Sequence, residues 1–363
     1  MSMPLDMLNN CVLSLDELAQ LGREQESHVL GGLCYFADTL TCPADSRINA
    51  PLLRVQMAPL TDAPSTSRVQ TDPVEALADA LCDVWLSASV LTQGQSGEVR
   101  YRHDGSTLFG VIELPEAQVD AGAASTPLQC TTERAYRKIF GLLEALGYPY
   151  LFRLWNYMAD INGHSHGLER YRQFNLGRQD AFIACRRDVV GGNVPAACAL
   201  GSAGGPLTVA FMAGRQAPVA LENPRQMSAF NYPPDYGPRS PTFARAALAR
   251  MGSDEVLLLS GTASIVGHSS VHPGDVKAQT RETLTNIGSM IRVANQQANN
   301  PHFSLRDLFY RVYLRHSADA PAVKDVMRER LGGSFNAVFL QADICRQDLL
   351  MEIEASASLP AAR

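Results

Sequence analysis

The sequence lacks the features that mark several classes of protein. No run of apolar residues approaches the roughly 20 that a membrane-crossing helix needs. The formal net charge is −6, with 31 Lys and Arg against 37 Asp and Glu, so a broad basic surface for nucleic acid is not expected. Residues 1–8 show no basic region followed by a long apolar core, so we expect no signal peptide.

The cysteines follow no regular spacing. The eight cysteines lie at positions 11, 34, 42, 82, 130, 185, 198 and 345, and none forms a Cys-x-x-Cys pair. This argues against a disulfide scaffold and against a structural zinc site, and it favours a reducing compartment. We therefore expect a cytoplasmic protein that binds neither nucleic acid nor membranes.

What is present describes an ordinary globular chain. Its 363 residues are 46% hydrophobic and 19% charged, enough for one large domain or for two. We place a boundary near residue 240, which gives domains 1–240 and 241–363. With so little positive charge overall, an anionic substrate would have to be held by a few local arginines.

The sequence after residue 240 reads as a clear α+β series with helices against one sheet face. The predicted strands are Val256–Ile265, Phe309–Arg315, Phe335–Ile344 and Leu349–Ala355, and the predicted helices are Asp275–Ala294 and Ala320–Leu331. The β-rich part before residue 220 is predicted to be a second, diverged copy of the same unit. We assign no function to the first ninety residues.

Local signals in the first half are weaker. Ser14 is predicted to cap a short helix, and Asp104-Gly105 suits a hairpin turn between two strands. A helix is predicted from Thr131, as its cap, to Gly147, where a glycine ends it.

The terminal strand carries acid on one face. Side chains alternate along a strand, so residues 349, 351 and 353 share an apolar face and Glu352 and Glu354 share the other. For Glu354 we favour a solvent-facing position. The same alternation in the strand Phe309–Arg315 places Arg311 and Arg315 on one face. There they either bind carboxylate groups of a ligand or face solvent.

Longer strings of residues resemble known families. The stretch 260–287 and the terminal Glu352-Ile-Glu-Ala are similar to the RidA/YjgF core. Four further strings resemble the chorismatases, cofactor-free enzymes that release pyruvate from chorismate: RLWN (153–156), YRQFNLGR (171–178), YGPRSPTFARA (236–246) and GHSSVHPGD (267–275). The resemblance runs from about Gly141 onward, and overall it is nearest to the bifunctional 3-hydroxybenzoate synthases of xanthomonads.

This resemblance implies a RidA/YjgF-like C-terminal domain and roles for particular residues. Glu352 matches the glutamate that protonates the enolpyruvyl methylene carbon, which requires a raised pKa. Cys345 matches the branch that forms 3-hydroxybenzoate, with some 4-hydroxybenzoate, through an arene oxide, and we expect it to shape the pocket without acting as nucleophile. Arg178 resembles a carboxylate anchor and Tyr171 a residue lining the ring pocket. Arg239 is a weaker candidate for binding substrate, because loops such as Gly-Pro-Arg-Ser-Pro are often merely exposed.

Two features of the sequence restrict which functions we expect of this chain. Simple RidA proteins place a carboxylate-binding arginine near the position of Ala337, and this chain has none there, which makes imine or enamine hydrolysis a poor expectation. Histidines at 164, 166, 268 and 272 lie in Gly/Ser-rich loops without typical ligand spacing, so we expect loop hydrogen bonding and no bound metal.

Alternatives remain open at this point. One is hydrolysis of chorismate to a dihydroxycyclohexadiene carboxylate and pyruvate. Another is a non-catalytic RidA-like protein that binds an aromatic-pathway metabolite, with Glu352 merely solvated. The protein is expected to be either a monomer or a homotrimer.

Overall fold

The computed structural model describes residues 10–21, 23–37, 48–60, 80–118, 125–299 and 302–360. Residues 1–8, on which the signal-peptide expectation rests, lie outside these ranges. Within them, no helix combines the length and apolar character needed to cross a membrane. Three larger sheets and six helices organise the described chain.

The first sheet is the smallest of the three. Its strands follow the spatial order β1-β4-β2-β3 and are β1 (Asn10–Ser14), β2 (Val29–Phe36), β3 (Leu52–Gln56) and β4 (Leu81–Leu86), with short helices α1 (Leu15–Ala19) and α2 (Arg23–Glu26). Ser14 caps α1 as predicted, and Glu17 completes a capping box with it.

Cys34 and Cys82 lie directly opposite each other on β2 and β4 and form a disulfide. The irregular cysteine spacing did not predict this pair, because 48 residues separate the two positions and only the strand pairing brings them together.

The second sheet has seven strands, in the spatial order β20-β11-β8-β12-β7-β6-β5. They are β5 (Thr92–Ser96), β6 (Val99–His103), β7 (Thr107–Leu114), β8 (Tyr150–Ala159), β11 (Ala196–Ser202), β12 (Leu207–Gly214) and β20 (Asp343–Ile344), with helices α3 (Pro127–Leu146) and α4 (Arg170–Ala184). The hairpin around Asp104-Gly105 is confirmed by the pairing of β6 with β7.

Helix α3 begins earlier than predicted. Thr126 is its cap and Pro127 opens its first turn, whereas Thr131 lies inside the helix with its hydroxyl donating to the Pro127 carbonyl. Gly147 ends the helix in a left-handed conformation, as predicted.

The third sheet has six strands in the order β13-β14-β15-β21-β18-β19. They are β13 (Val219–Leu221), β14 (Ala246–Met251), β15 (Asp254–Thr262), β18 (Phe309–Leu314), β19 (Asn336–Gln341) and β21 (Met351–Pro360), with helices α5 (Val276–Gln297) and α6 (Ala320–Leu331). Two short ribbons pair β9 (His164–Ser165) with β10 (Leu168–Glu169), and β16 (Ile265–Val266) with β17 (Ser269–Ser270).

The predicted α+β class is confirmed, because the second and third sheets each pack two helices and so share a related architecture. The domain boundary near residue 240 stays a prediction.

The third sheet is buried on both faces. Val312 and Leu314 pack in the core that α5 and α6 cover, while Tyr313 packs in a second core with residues of the other two sheets. In that second core the Tyr157 hydroxyl lies 3.2 Å from that of Tyr35 and 3.4 Å from that of Tyr313. The solvent-facing position favoured for Glu354 is therefore wrong: it is 1% exposed.

Candidate active site

A cavity of about 570 Å³ lies among residues contributed by the second and third sheets and their loops. Its wall includes the start of α4, the loop 232–245, the end of β15 and the segment 345–352. Glu352, Cys345 and Tyr171 all line it, so three residues identified from the sequence meet in one place.

Glu352 lies near the start of β21, opposite Tyr313 of β18. Its side chain borders the cavity although the residue is only 4% exposed. Among the described residues, no hydrogen-bond or ion-pair partner of its carboxyl group is found. Burial raises the pKa of Glu352 to about 7, and the positive charges of Arg153 and Arg245 partly oppose that rise. A carboxyl group of this kind can donate a proton near neutral pH.

Gly261 provides the space in which this carboxyl group lies. The pairing of β15 with β21 shifts register between Leu259 and Thr262, next to this glycine. A Cβ atom at position 261 would lie 1.9 Å from Oε1 of Glu352 and 3.3 Å from Cβ of Cys198. A side chain at position 261 would therefore displace the acid.

Arg245 places a positive charge at the cavity wall. Its Nη2 donates to the Met227 carbonyl at 2.6 Å and to the Tyr232 hydroxyl at 2.8 Å, which fixes the guanidinium group. Its Nε is buried and has no partner among the described residues. A buried donor without a partner costs free energy, and an anionic ligand would remove that cost.

Arg346 is held in a similar way. Its Nη1 donates to the His268 carbonyl at 2.8 Å and to the Ser270 hydroxyl at 3.2 Å. Its guanidinium group lies 4.2 Å from the ring centre of Tyr236 and 5.2 Å from that of Tyr232. Nη2 is buried and without a partner in the described chain, so this arginine also has a donor free for a ligand.

Cys345 is adjacent to Arg346 and lines the same cavity. Burial raises the pKa of its thiol to about 12, and the nearby charge of Glu352 adds to that rise. The side chain is therefore a neutral thiol at physiological pH and a poor nucleophile.

Arg178 does not line the cavity but is buried in α4, where it is 1% exposed. Its Nη2 donates to Oδ1 of Asn175 at 2.9 Å, and its guanidinium group lies 5.1 Å from the ring centre of Phe174. No carboxylate in the described chain pairs with it. Burial raises the pKa of Tyr171, and the charge of Arg178 opposes that rise, which places the arginine near the tyrosine.

The other three predicted arginines have different positions. Arg311 is 2% exposed and forms an ion pair with Asp83 of the first sheet. Arg315 pairs with Asp343 and donates to three carbonyls of the segment that carries Cys345, at residues 344, 346 and 349. Arg239 is exposed and does not line the cavity.

Sequence reasoning passed over Arg245, Arg346 and Gly261. Arg245 lies within the string 236–246, and Gly261 within 260–287, but nothing local distinguishes them from their neighbours. Only the folded chain shows that both arginines keep a donor without a partner.

Comparisons with family models, curated proteins and solved structures all find chorismatases or a 3-hydroxybenzoate synthase. Residues 83–213 match the family model described as chorismatase FkbO/Hyg5-like, N-terminal. A 3-hydroxybenzoate synthase of Streptomyces hygroscopicus is 37% identical over 79% of this chain and 84% of its own length. A chorismatase of Streptomyces rapamycinicus is 38% identical over 76% and 82%. A chorismatase crystal structure superposes with a TM-score of 0.80 at 29% identity, covering 98% of this chain and 100% of its own.

Proposed function

Because this chain belongs to the chorismatase family, we propose that it splits chorismate into pyruvate and chiefly 3-hydroxybenzoate. The observation that carries the proposal is Glu352, a buried acid with its pKa raised to about 7, on a cavity with two incompletely bonded arginines. Family membership also identifies the chain as an enzyme, which excludes the non-catalytic binding protein as its principal role.

Chorismate carries two carboxylates, and we assign them to Arg245 and Arg346. Both guanidinium groups border the cavity, both are fixed by other hydrogen bonds, and each retains a buried N–H without a partner. Hydrogen bonds between arginine and carboxylate are charge-assisted and strong. We propose no substrate contact for Arg311 and Arg315, whose guanidinium groups are paired with acids, or for exposed Arg239.

Tyr171 borders the cavity and supplies an aromatic face for the substrate ring. Arg178 lies behind it as a buried cation without a paired carboxylate in the described chain. We propose that Arg178 acts through its charge on this side of the site and through its hold on Asn175, and that it does not bond the substrate directly.

The first chemical step is protonation. Glu352 gives its proton to the methylene carbon of the enolpyruvyl ether, which becomes a methyl group, and the ether carbon becomes an oxocarbenium ion. The bond between the ether oxygen and C3 of the ring then breaks, the oxygen keeps the electron pair, and pyruvate leaves. The raised pKa keeps the proton on Glu352 until the substrate is bound.

In the second step, the oxygen of the C4 hydroxyl group forms a bond to C3 of the ring. The C4 hydroxyl oxygen attacks C3 as pyruvate departs, and its proton returns to Glu352. The resulting arene oxide opens to 3-hydroxybenzoate with loss of a ring proton to the oxygen, so no water is consumed. Opening in the other direction accounts for 4-hydroxybenzoate as a minor product.

We propose that Cys345 determines whether the product is aromatic or non-aromatic. Its neutral thiol fills the wall next to Arg346 and close to Glu352, where a water molecule would otherwise reach the ring. If water attacked the ring, the product would be the dihydroxycyclohexadiene carboxylate. We therefore expect Cys345→Ala to increase the non-aromatic product.

The test is incubation of the purified protein with chorismate, followed by chromatographic identification of every product. We expect one pyruvate for each molecule of hydroxybenzoate, with 3-hydroxybenzoate as the main product. For Glu352→Gln we expect the rate to fall by about 10²–10⁴-fold. Wild-type rates in Glu352→Gln would refute the role of the acid. A non-aromatic diol from the wild-type protein would favour hydrolysis, and unchanged chorismate would refute the proposed activity.

The active unit stays predicted as either a monomer or a homotrimer, and sedimentation at assay concentrations distinguishes the two. A cytoplasmic location stays a prediction.

A further inference from the structure

Two glutamates on β21 lie on the same face and have different surroundings. Glu352 and Glu354 are two residues apart, which separates their Cα atoms by about 7 Å along a strand. Both are buried, at 4% and 1% exposure. Only Glu352 borders the cavity.

Glu354 is bonded on both carboxylate oxygens. One oxygen accepts from Nη2 of Arg153, on β8 of the second sheet, and the other accepts from the hydroxyl of Tyr313. Arg153 is itself only 1% exposed, so the ion pair is shielded from water. Charges inside a protein act over longer distances than charges in water.

Arg153 is also near Glu352. On the second sheet its neighbour Trp155 pairs with Cys198, and Cβ of Cys198 lies next to the position where Glu352 meets Gly261. Nη1 of Arg153 is buried without a hydrogen-bond partner in the described chain. The guanidinium group therefore has one N–H bonded to Glu354 and another free, close to a second carboxyl group.

Other ionisable groups surround Glu352 as well. The residues that face it from the packed elements are Arg153, Arg245, Cys198, Cys345, Tyr171 and Tyr313. Only the two arginines in this set are positively charged. Glu354 supplies the carboxylate that pairs with one of them.

We propose that Glu354 is a positioning residue that neutralises Arg153 and holds its guanidinium group away from Glu352, so that Glu352 keeps its proton for the reaction. The inference rests on the proposed function, in which Glu352 is the acid. It adds that Glu352 and Glu354 have different roles because Glu354, and not Glu352, forms the ion pair with Arg153.

The principal test is the pH dependence of kcat for pyruvate release in Glu354→Gln. Glutamine keeps the shape and removes the charge, so Arg153 is left unneutralised beside Glu352. We expect the fall in kcat at high pH to move down by about one pH unit, the shift produced by a unit charge roughly 10 Å away at an effective dielectric constant of about 20. At pH 8 this is about a tenfold loss relative to wild type, with little loss at pH 5.

Two further variants separate this effect from general damage. Arg153→Met removes the positive charge and should move the fall in kcat to higher pH, while the double variant Arg153→Met/Glu354→Gln should return it toward the wild-type position. Asp83→Asn is the matched control, because it also removes the carboxylate partner of a buried arginine, Arg311, whose charge is not among those that act on Glu352. Its pH dependence should match wild type when assayed below its unfolding temperature.

A folded Glu354→Gln with the wild-type pH dependence would overturn the proposal, as would an equal shift in Asp83→Asn. If Glu354→Gln does not fold, a folded Arg153→Met with unchanged pH dependence overturns it equally. An infrared titration of the protonated Glu352 carboxyl, assigned by its loss in Glu352→Gln, measures the same shift without turnover. If wild type releases no pyruvate, the proposed function fails, and this titration still decides the inference.

Discussion

Two groups of arginines and acids in this molecule can be compared, one between the sheets and one at the cavity. Between the sheets, Arg153 pairs with Glu354 and Arg311 pairs with Asp83. At the cavity, Arg245, Arg346 and Glu352 have no ion pair in the described chain, although their surroundings are largely buried. The comparison teaches that the same residue types join the sheets where they are paired and are available to a ligand where they are not.

The two arrangements differ in what a substitution removes. Breaking a buried ion pair leaves one charge without a partner and lowers the stability of the folded state. Removing a charge that has no partner leaves the fold largely intact and removes a contact with the ligand. The comparison therefore predicts opposite consequences in the two regions.

The largest effect is expected for Asp83→Asn. Arg311 loses its carboxylate while remaining 2% exposed, so the free energy of unfolding should fall by about 3–5 kcal/mol. Denaturant unfolding measures this loss, and the KM for chorismate serves as the control, since it should not change. If the variant is as stable as wild type, the ion pair between the sheets does not stabilise the fold, and the two regions do not differ in this respect.

Glu352→Gln should show the reverse effect on stability. Burial raises the pKa of Glu352 from 4.5 to about 7, so its contribution to stability is fully present below pH 4.5 and is lost as the pH rises through 7. A neutral glutamine avoids that loss, and we expect the variant to be more stable than wild type by about 3 kcal/mol above pH 7.

The matched control for that variant is Glu354→Gln, the same substitution two residues away. Because Glu354 is paired with Arg153, this variant should be less stable than wild type at the same pH. Thermal unfolding at pH 8 and at pH 4 compares the two. If both variants shift the midpoint in the same direction at pH 8, the two glutamates do not differ as proposed.

The smallest effect in free energy is expected for Arg346→Met. Loss of one charge-assisted contact should raise the KM for chorismate by about a hundredfold, with little change in the unfolding midpoint. Arg239→Met is the control, because Arg239 is exposed and outside the cavity, and its KM should match wild type. An unchanged KM in Arg346→Met would refute its assignment to a carboxylate.

Local sequence signals predicted much of the third sheet and its helices. Helix α6 spans the predicted residues, and α5 begins after Asp275, whose side chain caps it. Alternation correctly placed Val312 and Leu314 of β18 and Met351 and Ile353 of β21 in one core, whereas Leu349 precedes β21 and packs in the second core. These features depend on neighbours within a few residues, which a single sequence shows.

Features that depend on distant parts of the chain could not be predicted in the same way. Glu354 reads as a solvated strand residue until a second sheet covers it with Arg153. Arg311 and Arg315 suit a ligand equally well until Asp83 and Asp343 pair with them. For the site, the resemblance pointed to Glu352, Cys345 and Tyr171, whereas Arg245 and Arg346 emerged only from their unpartnered donors.

Gly261 bears on how other sequences are interpreted. Since its missing side chain makes room for the carboxyl group of Glu352, the glutamate alone is an incomplete marker of the acid. A related chain that keeps the glutamate but has a larger residue opposite it should fold and still be inactive. Screening genomes for this activity therefore requires inspecting both positions together.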